Sequence, residues 1–254
     1  VTAEGLPPLP GTTVALFLDV DGTILDFSEA PAAVRVPSSL PGIVAAAAKA
    51  LDGALAFVSG RSIRDLDRLF APLRLPTAGQ HGGEIRPSVG APTRRMPTEP
   101  IGEVMLRRIE MAAHVHPAIE VENKGGTVAV HYRRAPGAAA QLEAALRRAV
   151  ALDGTRLALM PGNMVWEIKD ARYTKATAVE LLMRREPFHG RTPLFVGDDI
   201  TDEDGFMAVE RLGGTALAVG AVHSARRRTA FAGPWQVREW LAALPRLLAR
   251  GAAR

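Results

Sequence analysis

The chain has 254 residues, 47% hydrophobic and 23% charged, with a formal charge of +4 and no cysteine. That balance suits one large or two small globular domains; no apolar run approaches the roughly 18 residues of a membrane span, and disulfides, thiolate metal sites and cysteine nucleophiles are excluded. Basic residues are scattered, several as short pairs (among them Arg94-Arg95, Arg133-Arg134, Arg147-Arg148 and Arg184-Arg185) and one triplet, Arg226 to Arg228, without interleaved aromatics. They read as solvated helix faces, so neither nucleic acid nor a membrane is an expected partner. The start "VTAEGLPPLPG" lacks the basic-then-apolar pattern of a signal peptide, and the expected address is the cytoplasm, as a monomer. Only four of the 31 basic residues are lysines, at 49, 124, 169 and 175. Where arginine is so preferred, a lysine points to a role that needs a compact ammonium.

In chain order, "VALFLDVDG" predicts a buried strand with Asp19 and Asp21 at its end. Two residues apart on extended backbone, both carboxylates point the same way, which is costly in an apolar setting unless a cation offsets them. Gly22 permits a sharp turn and Thr23 can orient a carboxylate. A calcium loop starting at Asp19 would need Gly and Glu where Ile24 and Ala30 stand. A helix over 40–51 precedes the strand "ALAFVSGRS", which ends at Ser59, a residue that reads either as a helix N-cap or as an anion contact before the helix at 62–70.

The stretch "GQHGGEIRPSVGAPTRRMPTEP" reads as a Pro-rich linker. Beyond it the rhythm changes to a helix (101–114), two strands (118–123, 127–133), a helix (137–151) and two strands (155–160, 164–168). Strand and helix alternation then resumes: a helix over 174–185 beginning near Lys175, the strand "PLFVGDD" ending at Asp198 and Asp199, a helix over 203–211, and the strand "TALAVG". Asp202, Glu203 and Asp204 favour a helix N-terminus behind Thr201, which makes a capping pattern with Asp204. The predicted fold class is α/β, a Rossmann-like parallel sheet core built from residues 1–98 and 170–254. Residues 99–169 form an inserted α+β cap domain, an antiparallel sheet plus two helices.

Ligands of such cores sit outside the carboxyl ends of the strands, and three ends deliver Asp19, Asp21, Ser59, Asp198 and Asp199. Carboxylates without His or Cys suit Mg²⁺, with Lys175 as an additional counter-charge. The strings "DVDGT", "SGR", the Lys175 helix and "GDDITDED", in this order and with an α/β insertion between the second and third, resemble the haloacid dehalogenase superfamily of phosphatases. "GQHGGEI", "VENKGGTVAVHYR" and "MPGNMVWEIKD" make the chain most similar to its trehalose-6-phosphate phosphatase branch.

That resemblance implies a Mg²⁺-dependent phosphatase of trehalose biosynthesis acting on the small molecule trehalose 6-phosphate. Asp19 would be the nucleophile that forms an aspartyl-phosphate, Asp21 the acid and base, and Ser59 and Lys175 the partners of the phosphate oxygens. The metal would be held by Asp19, Asp198 and the carbonyl of Asp21, with Asp199 and Asp202 orienting metal waters or Lys175. Alternation in the cap sheet puts Val128, Val130 and Tyr132 on one face and Thr127, Ala129, His131 and Arg133 on the other. Glu122 and Lys124 join the polar face, as does Glu167. The resemblance assigns sugar recognition to Glu122, Lys124, Arg133 and Glu167, and His81, with Gly82 after it, is expected to reach the sugar from the core side. Alternatives are a sucrose-phosphate or mannosylglycerate-phosphate phosphatase, or a non-catalytic sugar-phosphate-sensing domain.

Overall fold

The computed structural model describes residues 7, 9, 13–26, 34–154, 156–162, 164–220 and 229–251. Ala30, Thr155 at the start of an expected strand, and the Arg226–Arg228 triplet lie outside them. Two compact units emerge, one from Val1–Met96 with Tyr173–Arg254, the other from Pro97–Arg172. Among the described residues no helix is long and apolar enough to cross a membrane.

The first unit is built on β1 (Val14–Leu18), α1 (Leu40–Ala50), β2 (Leu55–Val58), α2 (Ile63–Leu69), β3 (Thr77–Gly79), β4 (Glu84–Arg86) and β5 (Arg94–Arg95). Its sheet also takes strands from the C-terminal part of the chain, β10 (Thr192–Gly197), β11 (Thr215–Val219) and β12 (Thr229–Phe231), in the order β12-β11-β10-β1-β2-β3-β4-β5. Pairings from β12 to β3 are parallel, and β1 is buried along its whole length. A parallel strand covered by helices on both faces must be continuously apolar, which is why "VALFL" carries no polar alternation. From β1 the chain steps outward to β2 and β3, and later returns to β10 on the other side of β1. The topological switch point therefore falls between β1 and β10, the crevice where such sheets bind ligands.

The stretch read as a linker after Gly79 is in part structured. It adds β4 and β5 as an antiparallel edge, Thr77 opposite Arg86 and Glu84 opposite Arg95. Strands of two and three residues carry too little alternation to see, and what holds this edge is charge. Arg86, buried, donates two hydrogen bonds of 2.8 Å to Asp67 of α2 and one of 2.9 Å to the Leu75 carbonyl.

The second unit contains α3 (Glu103–Ala113), β6 (Glu120–Asn123), β7 (Thr127–His131), α4 (Ala139–Ala151), β8 (Leu157–Gly162) and β9 (Val165–Asp170). Its sheet is antiparallel throughout, in the order β6-β7-β9-β8. One face carries Val128, Val130, Trp166 and Ile168 into a core with Ile109, Leu142 and Leu146 of the two helices. The other carries Glu122, Ala129 and Glu167, neighbours across three strands. Strand β7 stops at His131, two residues short of the expected end. Arg133 lies in the turn that follows, closed by the Ala135 N–H on the Tyr132 carbonyl. The partner strands set this end: His131 pairs with Glu120 and Val165, the first residues of β6 and β9.

The remaining helices belong to the first unit: α5 (Lys175–Met183), α6 (Glu203–Arg211) and α7 (Pro234–Gly251). The capping pattern expected from Thr201 and Asp204 is replaced by one between Asp199 and Asp202, around a 3₁₀ turn over Ile200–Asp202 that precedes α6.

Val130 is fully buried and lies opposite Val121 and Trp166 in the ladder. Val130→Thr keeps the shape but buries a hydroxyl, which should lower stability by about 1–3 kcal/mol. The urea midpoint of the unfolding transition should fall accordingly.

Candidate active site

Asp19 follows β1 and Asp198 follows β10, so the switch point brings together side chains 179 residues apart in sequence. Thr23 joins them: its hydroxyl lies 2.7 Å from Asp198 Oδ1 and 3.3 Å from Asp19 Oδ2. The approach is close because residue 22 is glycine. Its φ is +80°, and a Cβ there would collide with Asp198 Oδ2.

Lys175 opens α5, and at a helix N-terminus the macrodipole disfavours a cation. Two carboxylates outweigh that cost. Nζ donates to Asp19 Oδ1 at 2.7 Å and to Asp202 Oδ1 at 2.6 Å, all three groups being buried. Burial by itself would lower the Lys175 pKa, and the attraction of Asp19 and Asp202 raises it instead, so the ammonium stays charged. The other oxygen of Asp202 accepts the backbone N–H groups of Asp198 and Asp199 at 3.1 and 3.0 Å. Asp202 is thus saturated. It aims Lys175 and fixes the turn that carries Asp198.

Oxygens of Asp19, Asp198 and Asp202 lie within 4.8 Å of one another. Three carboxylates around one ammonium leave an excess of negative charge away from bulk water. Burial pushes the Asp19 carboxyl well above the usual range, only partly countered by Lys175, and burial raises Asp198 to about 6. A cluster of hard oxygen donors with unbalanced negative charge fits a divalent cation such as Mg²⁺. Since Asp202 is occupied, Asp19 and Asp198 are the carboxylates with capacity to hold it. Asp199 does not join them: it is exposed and its Oδ1 accepts the Ile200 N–H at 2.6 Å.

The loop after β2 supplies Ser59 and a residue without a sequence-derived role, Arg61. Arg61 grips Asp21 with two hydrogen bonds, Nε to Oδ2 at 2.6 Å and Nη2 to Oδ1 at 2.7 Å. It stands inside the "SGR" string, but no spacing rule reveals which carboxylate a loop arginine will reach. Ser59 is buried, and its hydroxyl oxygen accepts the Arg61 N–H at 3.2 Å. The cap of α2 is Ser62, which accepts from Asp65 N–H, so the N-cap reading does not apply to Ser59. The turn at Gln80–Gly82 braces this loop: Gln80 N–H donates to the Arg61 carbonyl at 2.9 Å, His81 N–H to the Ser59 carbonyl at 3.0 Å. The His81 imidazole packs on Gly60, and Gly82 is buried against the Thr174 carbonyl, so Gly82 seats the start of α5.

In the second unit, Glu122 and Lys124 form an exposed pair at 3.5 Å, and Glu122 also contacts His131 at 3.2 Å. That contact is the first cause of a lowered Glu122 pKa. Glu167 is half-buried two strands from Glu122, and Arg133 is exposed in its turn.

Residues 17–237 match the family model described as trehalose-phosphatase. The chain is 41% identical over 206 residues to a protein of Sinorhizobium fredii named probable trehalose-phosphate phosphatase, covering 81% of this chain and 77% of that one. It is 39% identical over 210 residues, with the same coverage, to trehalose-6-phosphate phosphatase of Escherichia coli. In fold it is similar to the C-terminal domain of C. albicans trehalose-6-phosphate phosphatase, with a TM-score of 0.73 over 92% of each chain at 20% identity.

The raised Asp198 pKa yields a pH prediction. A carboxyl whose folded pKa exceeds its unfolded value of roughly 4 favours the fold at low pH, and that contribution disappears as pH rises through about 6. A divalent cation needs the same group deprotonated. The rise in melting temperature on adding Mg²⁺ should therefore be present at pH 7.5 and shrink towards pH 5, and Asp198→Asn should remove most of it at every pH.

Proposed function

The chain belongs to the trehalose-phosphatase family, and we propose that it hydrolyses trehalose 6-phosphate to trehalose and phosphate through a covalent intermediate on Asp19. The observation that carries this reading is the buried Asp19 carboxylate, held at the switch point by Lys175 and Thr23 with Asp198 beside it. A binding or sensing domain gains nothing from burying a carboxylate where a phosphate must approach. A nucleophile needs that placement.

Asp19 Oδ attacks phosphorus, forming the acyl phosphate bond as the bond from phosphorus to the sugar oxygen breaks. Asp21 delivers a proton to the departing oxygen, then takes one from the water that attacks the intermediate and regenerates Asp19. Both Asp21 oxygens accept from Arg61, so at least one of these hydrogen bonds must be released before Asp21 can carry the proton it delivers. Lys175 and the Ser59 hydroxyl offset charge on the phosphate oxygens. Mg²⁺, held by Asp19, Asp198 and the carbonyl of Asp21, would supply further charge neutralisation and draw the phosphate to its nucleophile.

Sugar recognition is assigned to the polar sheet face of the second unit, with Glu122, Lys124 and Glu167 as acceptors and donors for hydroxyls and Arg133 and His81 as additional contacts. Carboxylates and ammonium groups each satisfy several hydrogen bonds, which suits a disaccharide.

Phosphate release measured over a panel of sugar phosphates, with and without EDTA, tests the activity. Trehalose 6-phosphate should be preferred over sucrose and mannosylglycerate phosphates, and EDTA should abolish turnover until Mg²⁺ is restored. Equal turnover of all substrates would overturn the specificity. Asp19→Asn preserves volume and should fold normally while losing on the order of 10⁴–10⁶ in kcat. Retention of more than a hundredth of the wild-type rate would remove Asp19 from its role.

A further inference from the structure

Glu122 is a flexible side chain on an exposed strand, yet its carboxylate is not left to rotate freely. His131, on the neighbouring strand, is offset diagonally from it: Glu122 lies opposite Ala129, and Glu120 lies opposite His131. The methyl of Ala129 leaves room between them on this face, within the diagonal reach that long side chains bridge on a sheet. His131 Nε2 stands 3.2 Å from Glu122 Oε2, and because an ionised carboxylate only accepts, the ring nitrogen must be the donor. Lys124 Nζ reaches the same oxygen at 3.5 Å.

His131 and Lys124 thus both approach Oε2, and among the described residues no hydrogen bond reaches Oε1. The alternative acceptor for His131, its direct partner Glu120, is occupied by Arg134 at 2.6 Å. His131 is therefore directed to Glu122 by the pairing around it.

We propose that His131 is a positioning residue for sugar recognition: its Nε2–H, with Lys124, pins one oxygen of Glu122 so that the other is presented to a hydroxyl of a phosphorylated sugar. The inference rests on the assignment of this sheet face to the sugar. Pinning a rotamer before the ligand arrives removes an ordering cost from binding, so its loss should weaken affinity for the sugar and leave the chemical step alone. A purely structural role would show instead as lower stability or as equal damage to every substrate.

The test is steady-state kinetics on trehalose 6-phosphate and on p-nitrophenyl phosphate, which has no sugar, for the wild type, His131→Leu, His131→Gln, Glu122→Ala and the His131→Leu/Glu122→Ala double variant. His131→Leu should raise KM for trehalose 6-phosphate about tenfold, the scale of one charge-assisted hydrogen bond, with kcat and both constants for the aryl ester unchanged. His131→Gln keeps an N–H donor and should recover most of that loss. The double variant should be no worse than Glu122→Ala alone. If Glu122→Ala weakens sugar-phosphate turnover while His131→Leu leaves KM within twofold, the proposal fails and the assignment of the face to the sugar stands. If neither variant changes the ratio between the two substrates, that assignment fails and the proposal with it. An equal slowing of both substrates by His131→Leu also overturns it.

Discussion

Everything in the first unit is arranged around an electrostatic problem: Asp19, Asp198 and Asp202 converge where water is scarce, with one ammonium among them. Taking a single carboxylate from water is costly, and three within 4.8 Å are tolerable only if charge is offset from several directions. Lys175 bridges two of them, the N–H groups of Asp198 and Asp199 neutralise one oxygen of Asp202, and Thr23 spans the other two residues. The backbone follows from these demands. Residue 22 must be glycine for Asp198 to come near, and residue 197 must be glycine because a Cβ there would stand 2.5 Å from the Asp202 carboxyl carbon. What these devices leave uncompensated is negative charge, which suits a divalent cation.

The sequence made the parallel strands visible because burial on both faces demands continuous apolar runs, and it made their polar ends visible because nothing else in those runs is charged. It was equally informative about the apolar face of the antiparallel sheet, where Val128, Val130, Trp166 and Ile168 alternate cleanly. It was silent on β4 and β5, whose few residues are held by Arg86 and Asp67, a long-range ion pair with no periodic trace. Arg133 was placed by extending an alternation past His131, where both partner strands begin and the pairing stops.

The site was legible by residue type and less so by partner. Adjacent carboxylates such as Asp198 and Asp199 look alike in sequence, and only the turn decides that one faces the cluster while the other caps the 3₁₀ helix. By spacing Asp202 reads only as one of several acids favouring a helix terminus, and it was the family resemblance that directed it to Lys175, to which it is bonded while fully buried. Arg61 and His131 escaped for a common reason. Each acts on a carboxylate of a different element, Asp21 and Glu122, and contact across elements is set by tertiary register.

The two units use charge in opposite regimes. In the first, buried ions interact at low effective dielectric, so each contact is strong and the removal of any partner is severe. In the second, Glu122, Lys124 and His131 stand half in water, where an ion pair contributes only about 0–1 kcal/mol to stability. A cluster of that kind has little reason to exist for the sake of the fold. In the role proposed for it, its energy becomes appreciable only when a ligand displaces the water around it, so that the contacts on Oε2 are less screened. Weak pairing in the free protein is thus compatible with strong discrimination in the proposed complex: stability rests on the apolar face of the same sheet, which leaves the polar face available for the recognition proposed for it.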